Sequence, residues 1–249
     1  MTRIELHAQE AQEDVVSEIV LSLVRMITTR TSALNNFHLA LTGGRVGTEI
    51  TQALIAHPLV LGCKSLHLWF SDERFTSELT ERNDSVLSHV DENFKPHVHR
   101  VAGPDVVGSV ELATKAYATE LDTFTTTRAF ATNTLMDVTL LSIGPDGHVA
   151  SLFPESDLLN HKEAVLSVLD SPKPPAQRVT WSFETINSSE QVWLVATGAE
   201  KRVVVDHLLA GTTPLTQIPA MGIKGTESTK LFVDSAAFDS DSADAEDFI

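Results

Sequence analysis

Met136-Asp-Val-Thr-Leu-Leu-Ser-Ile143 is a mostly apolar run of strand length that stops at Gly144-Pro-Asp-Gly-His148. A run with little polar alternation fits a strand buried on both faces, as in a parallel sheet covered by helices. Runs of the same kind lie at Phe37 to Thr42, Leu66 to Ser71, Val98 to Ala102, Gln191 to Thr197 and Lys230 to Val233. Between them the apolar spacing becomes helical. Val15, Val16, Ile19, Val20, Leu23, Val24 and Ile27 predict an amphipathic helix within Ala11 to Asn35, and similar patterns recur at Gly47 to His57, Glu81 to Val90, Val110 to Phe124 and Glu200 to Leu209. Strands alternating with helices predict an α/β fold with a mainly parallel central sheet and helices on both faces.

The chain has 249 residues and no Gly/Ser-rich or Pro-rich linker. Its one proline cluster, Pro172 to Pro175, is too short to separate domains. A single α/β domain over residues 1–235 is expected. The last fifteen residues, SAAFDSDSADAEDFI, carry five acids and no base, and predict a solvated acidic tail over 236–249. A hydrophobic content of 42% suits a globular chain that needs no disulfides to bury a core. The single cysteine, Cys63, has no internal partner and reads as a small buried thiol. The N-terminus lacks the basic start and apolar core of a signal peptide, and no apolar run reaches membrane-spanning length, so a cytoplasmic protein without membrane contact is expected. The formal net charge of −16, from 34 acidic against 18 basic side chains, disfavours nucleic acid as a partner. An anionic ligand would have to be held by a few local cations and backbone N–H groups.

In open parallel sheets ligands bind beyond the carboxyl ends of the strands. Four runs end in polar or glycine-rich segments: LALT-GGRVGT (39–48), LWFS-DERF (68–75), LLSIGPDGH (140–148) and VWLVATGAEK (192–201). If these four strands are neighbours, their ends share one pocket. The first segment places Gly43, Gly44 and Arg45 before a helix, where free N–H groups and the helix dipole attract anions; a purely steric need for glycine there is as good an explanation. It matches neither the dinucleotide fingerprint nor the P-loop. Asp72-Glu73-Arg74 and Asp146-Gly147-His148 cluster ionisable groups at strand ends. Imidazole suits general-base work near neutral pH, and a neighbouring carboxylate can orient it. No metal-binding motif is evident, and His97 and His99 lack a third ligand. No G-x-S-x-G elbow occurs, and Ser151 reads as a hydrogen-bonding residue at a helix start. Water is the expected nucleophile, with no metal and no cofactor.

The segment Leu140 to Pro154, LLSIGPDGHVASLFP, resembles the 6-phosphogluconolactonase family, whose corresponding segment is Gly-x-Asp-Gly-His-Thr-Ala-Ser-Leu-Phe-Pro. The resemblance extends to Thr42-Gly43-Gly44, Ser71-Asp72-Glu73-Arg74, Arg82-Asn83, Arg178-Val-Thr180 and Thr197-Gly-Ala-Glu-Lys201. It implies a three-layer α/β/α, Rossmann-like fold of the sugar-phosphate isomerase type. It also implies hydrolysis of 6-phospho-D-glucono-1,5-lactone in the pentose phosphate pathway; a monomer or small homo-oligomer is expected. Carried over by position, His148 would be the base that activates water and Asp146 its orienting partner. Arg74 and Lys201 would bind the phosphate, Gly43 and Gly44 would present N–H groups, and Arg45, Asp72, Arg82, Asn83, Gly147 and Arg178 would complete the substrate-binding set. Two positions depart from the family pattern: the loop reads GGRVG where many members have Gly-Gly-Ser-Thr-Pro, and Val149 replaces threonine. Glucosamine-6-phosphate deaminases share Asp-Gly-His after a strand, but typically follow it with a segment like Ile-Ala-Phe-Asn-Glu-Pro, where this chain has Val-Ala-Ser-Leu-Phe-Pro. A non-catalytic sugar-phosphate sensor is the remaining alternative.

Overall fold

The computed structural model describes residues 4–32, 35–88, 90, 93–129 and 134–239. Its strands are β1 (Ile4–Gln9), β2 (Phe37–Leu41), β3 (Leu66–Phe70), β4 (Asp72–Arg74), β5 (His97–Val98), β6 (Val138–Ser142), β7 (Val165–Val168), β8 (Arg178–Trp181), β9 (Gln191–Ala196) and β10 (Ser228–Asp234). Its helices are α1 (Gln12–Arg30), α2 (Gly44–Ile55), α3 (Pro58–Leu61), α4 (Val110–Ala129), α5 (Phe183–Asn187) and α6 (Arg202–Ala210). Seven strands form one sheet in the order β1-β10-β9-β6-β2-β3-β5, and every pairing in it is parallel.

The continuous apolar runs follow from this topology, because helices cover both faces. Phe37, Leu39 and Leu41 of β2 and Leu66, Leu68 and Phe70 of β3 point into one core with Val15, Ile19, Leu23 and Ile27 of α1 and Ile50 and Leu54 of α2. Ala40 and Trp69, on the opposite face, join a second core with Val110, Ala113, Tyr117 and Leu121 of α4 and Val204, Val205 and Leu208 of α6. Two cores on either side of one sheet make the three-layer α/β/α arrangement. Among the described residues no helix is long and apolar enough to cross a membrane.

The structure departs from the sequence pattern in identifiable places. α1 ends at Arg30, before the expected Asn35, because Thr31 turns extended while its amide still bonds the Ile27 carbonyl. The helix expected over Glu81 to Val90 is two short 3₁₀ turns, Leu79–Glu81 and Asn83–Leu87, separated by an extended Arg82. α2 begins three residues before Gly47, with Gly43 as its N-cap. The edge strand β1 and the small antiparallel sheet β4-β8-β7 have no counterpart in the apolar runs. Ala237 and Phe238, assigned by composition to the tail, are buried in the second core, and the rest of that tail, from 240 on, lies outside the described residues. Cys63 is only partly buried. His99 is buried and bonded to His67 at 2.9 Å and Glu120 at 2.6 Å, while His97 is exposed.

Candidate functional site

From the centre of the sheet the chain winds outward in two directions, through β2, β3 and β5 on one side and β6, β9 and β10 on the other. The crevice beyond the carboxyl ends of β2 and β6 is therefore a topological switch point, where open α/β sheets bind ligands. The four strands with polar endings are consecutive, β9-β6-β2-β3, so the condition for a shared pocket is met. A cavity of about 200 Å³ opens there, lined by residues from all four strand ends.

Gly43, Gly44, Arg45 and Val46 form one wall. The N-terminus of α2 has no side-chain cap and no acid in its first turn, so its free N–H groups and dipole favour an anion. The opposite wall comes from β3 turning into β4. Its pairing with β8 sets Arg74 beside Arg178 and Asp72 beside Thr180, which places two guanidinium groups on the cavity. Asp72 is held among them: it accepts from Ser151 Oγ at 2.7 Å and Asn83 Nδ2 at 3.1 Å, and lies 4.0 Å from Arg178. Ser151 thus bonds a carboxylate in the site and does not start a helix. Lys201 follows β9 on a 3₁₀ turn and also faces the cavity. Burial lowers its pKa from the ordinary lysine value, against the opposing charges of Glu200 and Asp146.

His148 closes the site beyond β6. Its Nδ1 is hydrogen-bonded to Asp146 Oδ1, and its ring stacks on Phe153 at 4.7 Å between centroids. That leaves Nε2 as the ring nitrogen free to exchange a proton. A Cβ at residue 144 would collide with the imidazole and with the Asp146 carboxylate, so Gly144 permits the close pairing. Burial pushes the Asp146 carboxyl upward, but the His148 hydrogen bond and the charges of His148 and Lys173 outweigh it and hold the group well below the usual carboxylate range.

Nine of the residues singled out from the sequence line this cavity: Gly43, Gly44, Arg45, Asp72, Arg74, Asn83, His148, Arg178 and Lys201. Asp146 stands directly behind His148. Arg82 and Gly147 do not line it. Arg82 is buried, donates to both Asp84 oxygens and to the Val101 carbonyl, and lies 3.8 Å from Glu73. Glu73 in turn accepts the backbone N–H groups of Arg74, Asn83 and Asp84; burial and Asp84 raise its pKa to about 7 against Arg82 and two of those N–H groups. This network fixes the segment that delivers Asn83. Gly147 has a φ of +80°, and a Cβ there would meet Ile218 at 2.7 Å, so it serves the turn that presents His148. The sequence alone does not mark Ser142, whose Oγ is buried without a hydrogen-bond partner among the described residues and which lines the cavity, or Lys173, beside His148 and Asp146. The proline cluster was the only signal at Lys173, and Ser142 looks like any strand serine.

A parallel sheet whose switch point carries a cation-rich cleft, a helix N-terminus and a histidine–carboxylate pair has the features of an α/β protein with a site suited to a small anion beside a group that can exchange a proton. Among the described residues, no three His, Cys, Asp or Glu side chains are grouped to hold a metal ion. The chain belongs to the glucosamine-6-phosphate isomerases/6-phosphogluconolactonase family, whose model matches residues 9–232. It is 37% identical over 226 residues to the 6-phosphogluconolactonase of Streptomyces coelicolor, covering 86% of each chain. It is 32% identical over 223 residues to that of Mycobacterium tuberculosis, covering 86% of this chain and 89% of the relative. The crystal structure of 6-phosphogluconolactonase from Leishmania guyanensis matches with a TM-score of 0.81 at 21% identity, over 96% of this chain and 99% of that one. At that identity the structural match establishes a common fold.

Proposed function

We propose that this chain hydrolyses 6-phospho-D-glucono-1,5-lactone to 6-phospho-D-gluconate, with His148 as the base that activates water. The observation that carries this assignment is the placing of His148, braced by Asp146, on the same cavity as Arg74, Arg178, Lys201 and the start of α2. The relatives described above bear the name of this activity. A phosphorylated lactone needs both halves of such a site.

The lactone carbonyl is already an activated acyl group. Water adds to C1 while its proton passes to His148 Nε2, and Asp146 stabilises the imidazolium that forms. The tetrahedral oxyanion collapses by breaking the bond from C1 to the ring oxygen. His148 returns its proton to that oxygen, which becomes the C5 hydroxyl, and the carboxylic acid left at C1 gives its remaining proton to bulk water and departs as a carboxylate. Arg74 and Lys201 hold the phosphate, and binding energy spent there orients the ring for attack. Asp72, Asn83 and the N–H groups of Gly43 and Gly44 offer partners for the sugar hydroxyls and the developing charge.

The test is lactone hydrolysis, corrected for the spontaneous reaction, by the wild type and by folded His148→Asn. Loss of the base is expected to cost ~10²–10⁴-fold in rate. Retention of wild-type turnover by His148→Asn would overturn the assignment, and release of ammonia from an amino-sugar phosphate would point to the deaminase branch of the family.

A further inference from the structure

The proline-rich segment after β7 carries a lysine whose ammonium reaches the catalytic pair from behind. Lys173 Nζ lies 3.3 Å from Asp146 Oδ1 and 3.2 Å from His148 Nδ1. The segment is pinned from inside: Arg178 donates Nη2 to the carbonyls of Lys173 at 2.9 Å and Pro174 at 3.0 Å, and Nε to that of Pro175 at 3.2 Å. The Lys173 amide donates to Ser171 Oγ at 3.2 Å. Lys173 is not among the residues lining the cavity, and it meets the imidazole at Nδ1 and not at Nε2.

A lone carboxylate on Nδ1 favours the imidazolium form, and an imidazolium cannot accept a proton from water. An ammonium at hydrogen-bond distance from the same carboxylate and the same ring nitrogen supplies the opposite charge. We infer that Lys173 is a positioning residue of the reaction: it shares the Asp146 carboxylate with His148, offsets its charge, and so opposes protonation of the base. This rests on His148 being that base. The other charged groups facing the cavity are Arg45, Asp72, Arg74, Arg178, Glu200 and Lys201, and none of them has a hydrogen bond to Nδ1 or to Asp146 among the described residues.

The experiment is the pH dependence of kcat/KM for the phosphorylated lactone in the wild type, Lys173→Met and Lys173→Arg, with His148→Asn alongside. Removal of a cation this close should move the acidic limb upward by about one pH unit, the low end of the range because the Lys173 side chain is 41% exposed. Lys173→Arg should keep the wild-type limb, and KM should change little in either variant. Titration of the His148 ring protons by NMR should show the same shift without turnover, and Lys173→Gln serves if the methionine variant does not fold. An unmoved limb in folded Lys173→Met, with a rate lowered equally at every pH, would reduce Lys173 to a loop-packing role and overturn the inference. In that event an inactive His148→Asn leaves the base assignment standing; an active one removes both.

Discussion

His148 depends on its neighbours in ways that separate chemistry from folding. Its ring is fixed by Asp146 and Phe153, so exchange for asparagine takes away the imidazole on which the proposed proton transfer rests while leaving a smaller polar group in the turn. The Asp146 carboxyl, held below its ordinary value by His148 and Lys173 despite burial, carries a pH signature of its own. A carboxylate with a depressed folded pKa contributes stability above the unfolded value of about 4, and that contribution is lost as pH falls through the folded value. Asp146→Asn should therefore lower stability near neutrality and narrow the gap to the wild type below pH 4, as followed by acid titration of the unfolding midpoint. A gap that stays constant down to pH 2 would show that Asp146 has no favourable ionic partner in the folded protein. These residues were legible in the sequence because they sit in one contiguous segment. Lys173 was not, since its 25-residue separation from His148 leaves no trace in local spacing.

At the scale of elements, the segment from β4 through the two 3₁₀ turns shows why charge alone misleads. Asp72-Glu73-Arg74 looks like one cluster, yet alternation along β4 divides it. Asp72 and Arg74 face the cavity, whereas Glu73 points inward to Arg82 and the amides of residues 74, 83 and 84. The family resemblance implies a substrate role for Arg82 through the Arg82-Asn83 motif, but its partners in the structure are Glu73, Asp84 and a backbone carbonyl. Arg82→Met should destabilise the fold by about 3–5 kcal/mol, because it leaves the buried Glu73 without its cation and Asp84 with only the more exposed Arg100. Denaturant unfolding checks the magnitude. At low temperature, where the variant stays folded, KM should rise only through displacement of Asn83, and a loss of catalysis without loss of stability would restore Arg82 to the substrate. The same segment departs from the helix that its apolar spacing predicts: Arg82 is extended, and Glu73 takes the Asn83 and Asp84 amides at the start of the 3₁₀ turn that follows. The small sheet β4-β8-β7 was invisible for a related reason, since β4 consists wholly of charged residues that no hydrophobic pattern marks as strand.

Over the whole molecule, the parallel sheet was legible because helices on both faces make its central strands apolar throughout, and the pocket was legible because the polar strand endings became neighbours through topology. Arg178 was legible only through the family resemblance, since its place on the cavity depends on β4 leaving β3 to pair with β8. A chain of net charge −16 nevertheless gathers Arg45, Arg74, Arg178 and Lys201 around one cavity of about 200 Å³, an arrangement that an anionic substrate satisfies. The most direct measurement is kcat/KM of the wild type, Arg74→Gln and Lys201→Gln on 6-phosphogluconolactone and on unphosphorylated gluconolactone. If these side chains hold the phosphate as proposed, each substitution removes a charge-assisted hydrogen bond worth about 1.5–3 kcal/mol, so efficiency on the phosphorylated lactone should fall about ten- to a hundredfold, with far smaller change on the unphosphorylated one. Equal losses on both substrates would contradict a phosphate handle and place these side chains at the reacting carbonyl or in the fold.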